Sequence, residues 1–176
     1  RAPLTTSGRL TRAKTGSVVA VLSQVPNQPL FDNLSEDALI SFTFQKYLET
    51  QDPTWPCLLP MVKSAVRAMD AVQAVAKDKH SQAIARFVVT GASKRGWTTW
   101  LTAAVDSRVT AIAPMVIDTL NFPAQMELQV RSFGGYSEQI ADYSDKGLTD
   151  RLKEPAARAL LAMIDPYVHR AKLAMP

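Results

Sequence analysis

The 176-residue sequence predicts an α/β domain, a parallel sheet with helices on both faces. Three observations predict it. Short apolar runs rich in β-branched residues recur at 18–22, 84–90 and 109–117, the length and composition of buried strands. Between the second and third of these lies a short helical segment, so a right-handed crossover would make the two strands parallel. The composition, 47% hydrophobic and 20% charged, supplies one sizeable core and excludes disorder and low complexity.

In order along the chain, Thr15-Gly16-Ser17 breaks the N-terminal stretch, and Val18 to Leu22 reads as the first strand, stopped by Pro26. Residues 26–37 carry prolines, asparagines and acids suited to a surface loop. Ser35 then opens a helix running from Ala38 to Tyr47. Pro53, Pro56 and Pro60 mark an irregular link. From Met61 to Ala76 the residues Val62, Ala65, Val66, Met69, Val72 and Val75 share one face, with Lys63, Arg67, Asp70 and Gln73 opposite, which predicts an amphipathic helix. Lys77, Asp78 and Lys79 are expected to turn the chain into the strand Ile84 to Thr90. Gly91 to Gly96 reads as a tight turn, Trp97 to Val105 as a helix and Val109 to Ile117 as the third strand. Residues 119–153 lose this rhythm and are expected to form a cap or lid inserted into a single domain spanning 1–176. A last helix runs from Glu154 to Ile164 and is broken by Asp165-Pro166.

The net charge of +4 is local: Arg1, Arg9, Arg12 and Lys14 precede the first acid, Asp32, and account for all of the excess. That stretch holds no stacking aromatic, so it reads as a solvated helix end and nucleic acid is not an expected partner. Cys57 is the single cysteine, which excludes an intrachain disulfide. With only His80 and His169 beside it, no structural zinc site, metal or cofactor is expected. No apolar run approaches the ~20 residues of a membrane span.

The chemistry is concentrated in Val88-Val89-Thr90-Gly91-Ala92-Ser93-Lys94-Arg95-Gly96-Trp97. A serine on a sharp turn between a strand and a helix has the geometry of a nucleophile elbow, in which glycines keep neighbouring backbone from colliding. The Lys94 backbone amide, at a helix N-terminus, is the candidate oxyanion donor and Ser93 the candidate nucleophile. Arg95 stands where the second glycine of G-x-S-x-G is expected, and Gly96 follows one place later. The same glycines have phosphate-loop spacing, but Trp97 occupies the lysine position, and an indole cannot supply its charge to a nucleotide.

The run from Gly91-Ala92-Ser93-Lys94-Arg95-Gly96-Trp97-Thr98-Thr99-Trp100 to Ala113-Pro114-Met115-Val116-Ile117-Asp118 resembles the core signature of the PhoPQ-activated pathogenicity-related family. Val25-Pro26-Asn27-Gln28-Pro29-Leu30 and Ile164-Asp165-Pro166-Tyr167 resemble it too. The resemblance implies an α/β-hydrolase fold with Ser93 at the nucleophile position, in a secreted or periplasmic protein. It also implies a serine hydrolase cleaving a small ester or peptide substrate through an acyl-enzyme, or a non-catalytic signalling or binding protein that keeps the fold, as in proliferation-repressor-like members. Lys94 is similar to the basic residue of the Ser-Arg pair of glucuronoyl esterases, which helps to hold the oxyanion.

A serine nucleophile needs a histidine base oriented by a carboxylate. His80 precedes the strand that delivers Ser93 and is therefore more than ~20 Å away, at ~3.3 Å per strand residue. His169 precedes the apolar start of a further strand at Leu173 and belongs to the same wrong edge. Asp118 lies at the correct edge but reads first as a helix or turn cap. By the resemblance, acid and base should follow residue 176, so the chain is expected to be a central portion of a longer hydrolase-like protein, or a nicked product that keeps its other segments as partners. Alone it would be a structural fragment with open sheet edges. Trp97 and Trp100 are expected in the core rather than in a pocket wall with Met115 and Phe122, while Tyr136 or Tyr143 would line a site beneath the cap.

Overall fold

The computed structural model describes residues 14–175. Of the N-terminal cations, Arg1, Arg9 and Arg12 lie outside the described residues, and Lys14 is exposed. Val18 to Leu22 is not a strand: Val18, Val21 and Leu22 are each half exposed or more. A run of branched residues becomes a strand only when a ladder partner takes its amides, and among the described residues none lies beside it.

The loop that follows closes on itself through the Leu30–Leu34 bridge, with Phe31, Asp32 and Asn33 all at positive φ. Helix α1 is Glu36–Thr50 and buries Leu39, Ile40, Phe44, Tyr47 and Leu48. Helix α2 is Leu58–His80, longer than expected at both ends. Pro60 sits in its first turn, where a missing N–H costs nothing. Lys77, Asp78 and Lys79 continue the helix instead of turning the chain, because cations at a helix C-terminus complement its dipole.

Strand β1 (Phe87–Ala92) starts three residues later than expected, helix α3 is Lys94–Val105, and strand β2 is Val109–Met115. The two strands pair in parallel, Val89 opposite Ile112 and Ala92 opposite Met115. The architecture is thus mixed α/β, with a two-stranded parallel sheet among the described residues. Among the described residues helices cover one face only. Met69 of α2 and Ala103 of α3 pack with Val109, Phe87, Val89 and Ile112, while Val88 and Met115 stay open to solvent, 69% and 50% exposed. Arg108 pins the base of this layer by ion pairs to Asp106 at 2.6 Å and to Asp70 of α2 at 2.8 Å.

Residues 119–153 form helix α4 (Phe122–Phe133), a 3₁₀ turn (Glu138–Ile140) and the single-turn helix α5 (Ala141–Ser144). Helix α6 (Pro155–Ile164) begins with proline at its first position, as its fixed φ favours. The larger core gathers α1, the start of α2, the first half of α3, Tyr143, Leu148 and α6 around Trp97. Trp97 is 2% exposed, stacks on Phe122 at 5.2 Å and meets Phe44 edge-on at 5.8 Å. It is a core residue, and Trp100 is half-buried. After a 3₁₀ turn at Arg170–Lys172 the chain is irregular at Leu173, which packs with Met175 on the Met69 cluster rather than entering a strand. No helix of the described residues is long and apolar enough to cross a membrane.

Candidate active site

Ser93 joins β1 to α3 with φ 52° and ψ −122°, a backbone conformation that L-residues other than glycine seldom occupy. The conformation is pinned on both sides. The Ser93 N–H donates to the Met115 carbonyl at 2.9 Å, extending the ladder, and the Ser93 carbonyl accepts from the Trp97 N–H at 3.0 Å, opening the helix. Ser93 is half-buried, and its hydroxyl makes no hydrogen bond to a described residue. The Lys94 N–H, first of the helix, likewise has no acceptor among the described residues. An unused amide at the positive end of a helix is a place where negative charge is stabilised.

Both glycines of the turn are required by contact. A Cβ on Gly91 would lie 2.6 Å from the Arg95 carbonyl oxygen and 2.7 Å from its carbon. On Gly96 it would meet Ile117 Cγ2 at 2.5 Å and the carbonyls of Gly91 and Met115 at 3.1 Å. The departure from G-x-S-x-G thereby has a physical reason. The second close approach, where α3 crosses the end of β2, falls on the third residue after the serine, so Arg95 fits at the second.

The side chains of Lys94 and Arg95 are both committed to the first turn of α1. Lys94 Nζ donates to Asp37 Oδ2 at 2.6 Å and lies 3.1 Å from Glu36 Oε2, with the lysine side chain 12% exposed. Arg95 grips Glu36 with two bonds, at 2.5 and 2.9 Å. Gln28 completes the cluster: its amide donates to Glu36 Oε1 and its oxygen accepts from the Glu36 N–H at 2.9 Å. From the other side the Tyr143 hydroxyl donates to Asp37 Oδ1 at 2.9 Å. The Arg95 bonds hold the Glu36 carboxyl down at about 2. Burial alone would lower the Lys94 amine, but Asp37 and Glu36 outweigh it and raise it, so Lys94 is a permanent cation and no general base. Burial and then Asp37 push the Tyr143 phenol well up.

At the turn Lys94 therefore leaves its backbone N–H unused among the described residues, while its amine is turned to α1. Neither histidine reaches the elbow. His80 ends α2, and His169 Nε2 lies 3.4 Å from the Met163 carbonyl. Asp118 is exposed and accepts from Gln125 of α4 at 3.2 Å, so it braces that helix. Tyr136 bonds Asp150 at 3.0 Å, away from the cluster. Asp165 accepts the N–H groups of Asn121 at 3.1 Å, Phe122 at 2.9 Å and Tyr167 at 2.9 Å, and so anchors the start of α4. No group of three or more potential metal ligands occurs among the described residues. A cavity of about 30 Å³ beside Trp97 is lined by Phe44, Phe122, Leu148 and Leu160, too small for more than a water-sized guest.

Sequence reasoning missed Glu36, Asp37 and Gln28. They fell in the 26–37 stretch read as a surface loop, and nothing local ties the two acids to cations 57 and 59 positions away.

A family model described as "PhoPQ-activated pathogenicity-related protein" matches residues 7–176. A curated relative, "Autocrine proliferation repressor protein A" of Dictyostelium discoideum, is 41% identical over 167 residues, 92% of this chain and 34% of the relative. The chain thus spans about a third of the length of the relative it matches. No solved structure matches.

Proposed function

The chain belongs to the PhoPQ-activated pathogenicity-related protein family, and from that premise we propose that it carries the nucleophile of a serine hydrolase of the α/β-hydrolase type. The observation that carries this reading is the backbone of Ser93, φ 52° and ψ −122°, at the exit of a parallel strand between two glycines that admit no Cβ. Strain of this kind persists only where the surroundings over-determine it, and it clusters at sites of chemistry. Ser93 Oγ attacks the carbonyl of a small ester or peptide substrate, and the developing oxyanion is stabilised by the Lys94 amide at the head of α3. Collapse expels the alcohol or amine and leaves an acyl-Ser93, which water then cleaves. We assign the base and its orienting carboxylate to sequence outside these 176 residues, because neither His80 nor His169 contacts the elbow. Residues 119–153 act as a cap over the site, and the protein works outside the cytoplasm, secreted or periplasmic.

A second reading is favoured by the name of the relative: a secreted signalling or binding protein that keeps the elbow without turnover. A fluorophosphonate probe applied to the native protein separates the two. Stoichiometric labelling that disappears in Ser93→Ala supports the hydrolase. A folded protein that takes no label overturns it and leaves the binding protein.

A further inference from the structure

We propose that Asp37 is a positioning residue of the elbow, holding the Lys94 amide for oxyanion stabilisation through the Lys94 amine and joining it to the 119–153 segment through Tyr143. The proposal rests on Ser93 being the nucleophile.

The peptide plane between Ser93 and Lys94 carries the N–H that would meet an oxyanion. Its direction is set by Ser93 ψ, a value outside the ordinary wells, and its own carbonyl is held by the Trp97 N–H at 3.0 Å, so contacts and not backbone preference keep it in place. It needs an anchor on each side. On the serine side the anchor is the Met115 carbonyl. On the lysine side the helix bond from the Trp97 N–H is joined by the side-chain link of Nζ to Asp37 at 2.6 Å, made by an amine almost withdrawn from solvent. Such a charge-assisted bond with little competing water fixes the whole side chain and with it the Cα.

Asp37 is suited to this because its two oxygens serve two different segments. Oδ2 takes Lys94 and Oδ1 takes Tyr143, which is itself 8% exposed. Glu36 repeats the arrangement one residue earlier, with Arg95 on one side and Gln28 on the other. Glu36 also has a positive φ of 54°, so both sides of the clamp are built on backbone that the contacts must hold. A displacement of residues 138–146 would thus be felt at the Lys94 amide through one carboxylate and two hydrogen bonds.

The test uses native protein in wild-type, Asp37→Asn and Tyr143→Phe forms, with two readouts: saturation kinetics of fluorophosphonate labelling and hydrogen exchange of the amides at 93–97. Asp37→Asn is expected to lower the limiting labelling rate about tenfold, a fraction of the ~100-fold that loss of an oxyanion donor costs. Its half-saturating concentration should stay within about twofold, since ground-state binding is untouched. Tyr143→Phe, which removes one oxygen and is the safer variant to fold, should produce a smaller drop of the same kind. In both, exchange should accelerate at 93–97 while β1 and β2 keep wild-type protection. A rate loss that appears only as weaker probe binding, or elbow amides unchanged in Tyr143→Phe, overturns the positioning role. If wild type takes no probe, the hydrolase reading falls and oxyanion positioning with it. Unchanged elbow exchange in labelled protein removes the positioning role alone.

Discussion

The Trp97 indole N–H donates to the Ile164 carbonyl at 2.6 Å, tying the first turn of the elbow helix to the last residue of α6. Both partners are buried, each 2% exposed. Trp97→Phe keeps a ring near Phe122 but strands that carbonyl, and an unsatisfied buried acceptor costs about 1–3 kcal/mol. Urea unfolding should show a loss in this range.

The two glycines of the turn should differ in their tolerance. Gly91→Ala drives a methyl into the Arg95 backbone, which cannot yield without opening α3. The cost should reach or exceed the ~1–3 kcal/mol of ordinary overpacking. The nearest obstacle to Gly96→Ala is the end of a side chain, Ile117 Cγ2, so its penalty should be smaller and partly relieved by Ile117→Ala. Thermal unfolding of the three variants checks the order, and a harmless Gly91→Ala would contradict the contact.

Acid should loosen the clamp. The Glu36 carboxyl lies at about 2 in the folded chain against an ordinary 4.5, chiefly through Arg95. Its folded value is depressed, so the stabilisation is whole above 4.5 and is lost as pH falls through about 2. Glu36 is 43% exposed, and solvent screening holds the contribution to about 1 kcal/mol. Glu36→Gln should abolish that part of the acid limb, read as the difference between variant and wild type in urea unfolding at about pH 5 and about pH 2.5.

Asp165 is 3% exposed and holds three backbone amides. In Asp165→Ala these lose a charged acceptor, at ~1.5–3 kcal/mol for each bond to a charged group and less where water replaces it. Limited proteolysis should then cut within 119–137 well before β1 or β2. Equal resistance in variant and wild type would mean that α4 is held by its apolar contacts alone.

Cys57 should be silent in the native state. It is 7% exposed, and burial pushes its thiol up. Alkylation by iodoacetamide should proceed at the rate of unfolding, slowing further as the fold is stabilised.

The elements legible in the sequence were those whose signals are local. Gly91, Ser93 and Gly96 mark the turn by themselves, and Val109 to Met115 needs only its branched residues and its neighbour β1. Val18 to Leu22 carries the same composition and is no strand, because pairing depends on a partner and not on the run itself. The end of α2 misled for the opposite reason: Lys77 to His80 is polar, and a polar run at a helix terminus is stabilised there as readily as in a turn. Asp165 was legible as a helix breaker but not as the acceptor for Asn121 and Phe122, more than forty positions away. At the candidate site the turn that carries Ser93 and Lys94 was readable, while the acids that bind the Lys94 and Arg95 side chains were not.

The separations across the clamp are 57, 59 and 106 residues, whereas the turn that makes the elbow closes within six. Contacts that join distant parts of a chain form after local ones, since loop closure must precede any gain from them. The strand, the turn and α3 therefore assemble early, and Ser93 takes its conformation once β2 brings the Met115 carbonyl to its N–H. The bonds of Asp37 to Lys94 and Tyr143 close last, so the tie that joins the head of α3 to α1 and to the 119–153 segment is a late product of folding.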